Sequence, residues 1–129
     1  MIAEALRTEL AQRFPELSSL SNEGGLVMPA AHEAVGDVTI SDDGNEATLC
    51  IGTITHGHFN DFREGVSPEA AARTIAEDVV SFLEALLADR VLLWRSDDAG
   101  GWRILDTDEK PNVHSDSGTQ FYLWSGPIG

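Results

Sequence analysis

SPEAAARTIAEDVVSFLEALLADR, residues Ser67–Arg90, is the stretch whose reading decides the fold. Ser67 stands where a helix N-cap belongs, since its hydroxyl can accept a backbone N–H left without a partner in the first turn. Pro68 occupies the first helical position, where its missing N–H costs nothing, and Glu69 sets a negative charge against the positive end of the helix dipole. Ala72, Ile75, Val79, Phe82, Leu83 and Leu86 then recur at steps of three and four, forming one apolar stripe. Arg73, Glu77, Asp78, Ser81 and Glu84 fall mostly on the other side. The spacing predicts a helix over residues 68–89, about 33 Å long at ~1.5 Å per residue. A strand of about ten residues has the same length, so one such helix can cover a sheet.

Outward from the helix, strand-like segments supply that sheet. Arg90–Arg95 (RVLLWR) is apolar enough for a central strand, Ser96–Gly101 (SDDAGG) is turn chemistry, and Trp102–Leu105 returns as a strand. Asp106–Gly118 is a long polar loop, and Thr119–Trp124 is the last strand. On the other side, Val35–Ile40 and Glu46–Ile54 read as a hairpin around Asp43-Gly44, a dipeptide suited to a type I′ turn. A two-residue loop there pairs Ile40 with Ala47, Val38 with Leu49 and Gly36 with Ile51, all on one face. Thr55–Phe62 (THGHFNDF) carries the chain from this hairpin to the helix. Leu26–Met28 is a short strand interrupted by Pro29. Met1–Phe14 forms a short amphipathic helix through Ile2, Leu6, Leu10 and Phe14, ended by Pro15. The expectation is a single α+β domain over residues 1–129: a two-layer sandwich with a mostly antiparallel sheet of about five strands. The short N-terminal helix and the long helix lie on one face.

At 129 residues and 42% hydrophobic composition, the chain can bury one real core. No apolar run approaches the ~20 residues of a membrane span. Charges interleave with apolar residues in Met1–Phe14, so it does not read as a signal peptide. The lone Cys50 rules out an internal disulfide and fits a reducing, cytoplasmic setting. Asp and Glu number 22 against 8 Lys and Arg, a net charge of −14. Such a field repels nucleic acid and anionic membrane and draws cationic partners. Solubility explains part of it; the sharper expectation is a surface that mimics nucleic-acid phosphate or plugs a basic active site.

Three groups of residues carry possible chemistry. In His56-Gly57-His58, the i, i+2 spacing on an extended chain points both imidazoles the same way, a metal-ligand arrangement. Asn60 and Asp61 follow, and Asp61 can supply an oxygen. Structural zinc takes four such groups and catalytic zinc three plus water, so His56 and His58 are half a site. Cys50, six residues earlier, would lie about 20 Å away along an extended strand. His32, in the continued hairpin register, would face the opposite side of the sheet. Gly57 also suits a bulge or turn, with Phe59 and Phe62 anchoring the segment in the core.

The second group is aromatic: Trp94, Trp102 and Trp124, with Phe121 and Tyr122. A three-residue turn after Ser96 pairs Trp94 with Trp102, and a four-residue turn sets Arg95 opposite Trp102. With Trp94 and Trp102 on one face, and Tyr122 and Trp124 on one face of their own strand, these residues would form an aromatic platform for a partner or flat ligand; the alternative is that half of them pack under the helices. Third come the loop acids Asp42, Asp43, Asp97, Asp98, Asp106, Asp108, Glu109 and Asp116. Their spacing fits no EF-hand, and no phosphate-binding glycine loop or nucleophile motif is present.

In character, as a small acidic α+β chain without a catalytic motif, the protein resembles the small immunity proteins that neutralise bacterial toxins. That resemblance implies binding to a basic toxin face through acidic loops and exposed tryptophans. The leading expectation is therefore a non-enzymatic binding or inhibitor-like protein with a basic protein partner and no cofactor. The alternative is a metal-dependent or acid–base enzyme centred on His56, His58 and Asp61, with zinc as the metal and His114 or His32 as further ligand. A homodimer through the aromatic face is a third possibility.

Overall fold

A computed structural model of the chain describes residues 1–116 and 118–129; Ser117, in the expected polar loop, lies outside the described residues. The element order is α1 (Ile2–Arg13), α2 (Pro15–Ser18), β1 (Ser21–Asn22), β2 (Gly25–Met28), β3 (Val38–Asp42), β4 (Glu46–Ile51) and β5 (Thr55–Asn60). Then come α3 (Pro68–Leu87), β6 (Val91–Ser96), β7 (Gly100–Ile104), β8 (Thr119–Leu123) and β9 (Gly126–Ile128). The α+β class is as expected, with a short N-terminal helix and one long helix.

The Ser67 hydroxyl accepts the Ala70 N–H at 3.2 Å, which is the cap the sequence calls for. At the other end α3 stops at Leu87, two residues short of the expected end at Asp89. Asp89 takes a left-handed φ of 57°. The Arg90 N–H then bonds back to Ala85 O and the Asp89 N–H to Leu86 O, the paired bonds of a Schellman ending. Asp89 adopts a conformation usually left to glycine, and its carboxylate accepts the Ser125 N–H at 3.0 Å.

Where one sheet of about five strands was expected, the described strands form two antiparallel sheets. Their orders are β1-β2-β3-β4-β5 and β7-β6-β8-β9. The edge strands β5 and β7 meet where Gly100 passes Ile54 so closely that a Cβ on Gly100 would stand 1.9 Å from the Ile54 carbonyl oxygen. α1 lies over β2 and β3, and α3 over β4 and β5. Leu6 and Leu10 of α1, Val80, Leu83 and Leu86 of α3, and Leu26, Ile40, Leu49 and Leu93 of the strands belong to one buried cluster. No helix among the described residues is long and apolar enough to cross a membrane.

The β3–β4 hairpin has the predicted apolar face but a different register. Asp42 pairs with Ala47, Ile40 with Leu49 and Val38 with Ile51, two residues away from the expected pairing. A type I′ turn requires positive φ at both central residues, and here only Gly44 has it (φ 95°). The chain instead makes a wider turn, with the Asp43 N–H bonding Glu46 O and the Gly44 N–H bonding the Asp42 carboxylate. Because strand side chains alternate with period two, a two-residue shift leaves every residue on its expected face. Similarly, Pro15 ends α1 yet starts α2, as the first-position proline of a second short helix.

Candidate functional site

The segment around His56 and His58 is a strand, not a connecting loop. At Gly52 the backbone turns with φ 49°, and the Ile54 N–H closes on Ile51 O at 3.0 Å. β5 then runs back along β4, pairing Cys50 with His56, Thr48 with His58 and Glu46 with Asn60. Cys50 is thus directly across from His56, where facing Cα atoms of an antiparallel pair are about 4.5–5.5 Å apart, rather than ~20 Å along one extended strand. The pairings compose two rows on the outer face of the sheet: Val27–Thr39–Cys50–His56 and Gly25–Ser41–Thr48–His58.

Alternation along β5 exposes His56, His58 and Asn60 and turns Gly57 and Phe59 inward. Gly57 makes no bulge. A Cβ there would stand 3.3 Å from the Trp102 indole nitrogen, so the glycine is a seat for that ring. Phe59 packs edge-on to Phe82 at 5.8 Å, as an anchor should. Phe62 does not anchor anything; it is 73% exposed, because the chain has already left the sheet.

The two imidazoles stand with centroids 5.1 Å apart and planes at 84°. His58 Nδ1 lies 3.5 Å from Glu46 Oε1 and 3.3 Å from Thr48 Oγ1. The single hydroxyl proton of Thr48 goes to the Asp43 carboxylate, and Glu46 is an acceptor when ionised. Both neighbours thus face Nδ1 of His58 as acceptors, an arrangement that suits the tautomer carrying its proton there and its lone pair on Nε2. Beside His56, a hollow of about 200 Å³ is lined by Cys50, Gly52, Thr53, Thr55 and Gly100.

Asp61 does not join this group. Its carboxylate is gripped by Arg63 through bonds of 2.6 and 2.8 Å, and Arg63 also reaches Thr74. The guanidinium holds the Asp61 carboxyl below its ordinary range. Asp61 lines a separate cleft of about 220 Å³ with Met1, Ile2, Val66 and Pro68, at the start of α3. The expected His56–His58–Asp61 constellation is therefore not assembled, and the carboxylate beside His58 is Glu46. His32 is elsewhere too: its Nδ1 accepts the Ala34 N–H, and its ring lies against Gly126. Among the described residues, no three His, Cys, Asp or Glu side chains are arranged to hold an ion.

The aromatic platform is likewise divided. The loop after Ser96 has two residues, Asp97-Asp98, closed by the Ser96 N–H on Ala99 O. Arg95 then pairs with Gly100, Trp94 with Gly101 and Leu93 with Trp102. This is one residue off the pairing of Trp94 with Trp102, and a one-residue shift sends the two indoles to opposite faces. Trp102 turns inward and packs edge-on to Phe82 at 4.8 Å. Trp94 lies on the other face over Gly101, where a Cβ would come within 2.4 Å of its ring. Trp124 is 7% exposed and belongs to the core, so the three tryptophans share no surface.

Several loop acids have local work. Asp116 caps its own turn through the Gly118 and Thr119 N–H groups, which hold its pKa down. Glu109 takes both Arg103 and the Asp106 N–H. Asp97, Asp98, Asp106 and Asp108 are exposed. Of the 22 acidic side chains, four meet an arginine among the described residues: Glu9, Glu84, Asp61 and Glu109. No protein-family model matches the chain, and neither a curated protein nor a solved structure matches it.

Proposed function

We propose that the protein is a non-enzymatic interaction protein of the cytoplasm that engages a protein partner with a basic surface, in the manner of an inhibitor or immunity protein. One observation carries the proposal: among the described residues, arginines meet only four of the 22 carboxylates. Charges of one sign left without partners repel each other across the folded surface, a cost that a basic partner would offset. Asp97, Asp98, Asp106 and Asp108 are exposed loop positions through which that contact would run. The tryptophans contribute less than the sequence suggests, with Trp124 in the core and Trp102 against Phe82. The enzyme alternative loses its expected carboxylate, because Asp61 is held by Arg63.

Affinity capture with the intact protein tests this reading. Bound partners should be basic proteins, released as salt rises from about 50 to about 500 mM, since that shortens the Debye length severalfold. Replacing Asp97, Asp98, Asp106 and Asp108 together by asparagine should slow association and weaken binding. Partners of neutral or acidic character, held equally at both salt concentrations, would overturn it.

A further inference from the structure

We propose that His56 and His58 form half of a four-imidazole site for a zinc-class divalent cation, and that the other half is the same pair on a second copy of this chain. The two rings share one exposed face of β5 with centroids 5.1 Å apart. Two imidazoles on one tetrahedral ion, with metal–nitrogen bonds of ~2.0–2.1 Å, have centroids about 5 Å apart. The centroid spacing therefore matches that of two imidazoles on one ion.

The hydrogen bonds around His58 point the same way. Thr48 and Glu46 face Nδ1 as acceptors, which suits the tautomer with its lone pair on Nε2. A carboxylate behind a ligating histidine is the usual outer partner that fixes ring and tautomer. One chain supplies no third ligand among its described residues. A tetrahedral ion takes four, and a two-fold axis through it repeats the pair.

The surroundings of the pair suit close approach of two copies. Each chain carries a net charge of −14, so most faces repel their own copy. Around the histidines the outer rows of β2–β5 hold Val27, Thr39, Ser41, Thr48, Cys50 and Asn60. Among the described residues of those rows Glu46 is the one carboxylate, and it is turned to His58; Asp43, at the hairpin end, is held by the Thr48 hydroxyl. Imidazole nitrogen selects zinc, copper or nickel over calcium and magnesium, which prefer oxygen.

Titrating the untagged protein with zinc chloride, by calorimetry and analytical ultracentrifugation, tests the site. The expected result is half an ion bound per chain, a doubling of mass and reversal by EDTA. His56→Asn and His58→Asn should each abolish the dimer while circular dichroism stays native, because both side chains are exposed. Glu46→Gln should weaken zinc binding at least about tenfold through the lost outer partner. Cys50→Ser should leave both binding and dimer intact. One ion per chain with no change in mass, loss of the dimer in Cys50→Ser, or an equal dimer with calcium would overturn the proposal. So would a zinc dimer that survives loss of both histidines.

Discussion

Asp42 and Ala3 lie 39 residues apart, yet the Asp42 carboxylate accepts the Ala3 N–H at 3.0 Å. The end of β3 thereby caps the first turn of α1, a helix with no side-chain cap from its own N-cap residue. The same carboxylate takes the Gly44 N–H and stands 3.6 Å from the Met1 ammonium. Burial works to raise the Asp42 pKa, but the Ala3 and Gly44 N–H groups and the ammonium outweigh it and hold the carboxyl below its ordinary 3.8. A lowered folded pKa stabilises the fold above the unfolded value and loses that contribution as pH falls through the folded value. Asp42→Ala should cost about 1 kcal/mol at neutral pH, the usual worth of a cap. Urea midpoints should show the gap between wild type and Asp42→Asn closing as pH drops below 3.8. A gap that stays constant down to acid pH would remove Asp42 from this role.

Gly100 should be among the least replaceable residues in the chain. A Cβ there would lie 1.9 Å from the Ile54 carbonyl oxygen, and a backbone atom cannot swing aside as a side chain can. Gly100→Ala should therefore push β7 away from β5 and destabilise by about 1–3 kcal/mol, as overpacking does. Gly44→Ala offers the contrast. It meets nothing within 4 Å, and its cost is only the strain of φ 95°. Chemical denaturation of the two variants should rank Gly100→Ala as the more damaging.

Arg13 ties α1 to α3, reaching Glu84 at 2.6 Å and Ser81 at 3.2 Å while also meeting Glu9 on its own helix. These groups are partly exposed, so the pair is worth little: a double-mutant cycle on Arg13 and Glu84 should return about 0.5–1 kcal/mol at low salt. That coupling should shrink in 1 M salt, where the Debye length is about 3 Å. Coupling that ignores salt would mean that the Arg13 stem contributes by packing instead.

Local signals were legible and pairing registers were not. Ser67, Pro68 and the stripe from Ala72 to Leu86 specify α3 because caps and periodicity act within a few residues. Turn width is set by backbone dihedrals that Asp43-Gly44 or Asp97-Asp98 can satisfy in more than one way. A two-residue error at the first turn preserved the faces, whereas a one-residue error at the second split Trp94 from Trp102. The Cys50–His56 pairing was hidden for a related reason. The run from Glu46 to Ile54 reads as one strand unless Gly52 is taken as a turn, and the alternation of Thr55–Asn60 shows only in its burial, since Phe59 is its one large apolar residue. Asp61 was near the histidines in sequence only. A bidentate arginine two residues on, Arg63, is the competing partner that spacing alone does not rank.

Gly57 and Trp102 make the sharpest test of how β5 is positioned. In an open strand, replacing glycine by alanine gains about 0.5–1 kcal/mol, because glycine loses more backbone freedom on folding. Here the added methyl would stand 3.3 Å from Trp102 Nε1 and 3.6 Å from its Cζ2, and the indole is backed by Phe82 at 4.8 Å. Gly57→Ala should therefore destabilise by about 1 kcal/mol rather than stabilise. Trp102→Phe removes the two ring atoms nearest that methyl. In that background Gly57→Ala should become neutral or favourable, filling space the smaller ring vacates. A change of sign across this cycle, read from urea denaturation, would establish the tryptophan as the reason a glycine stands between the two histidines. If Gly57→Ala costs the same in both backgrounds, the glycine answers to the backbone of β5 instead.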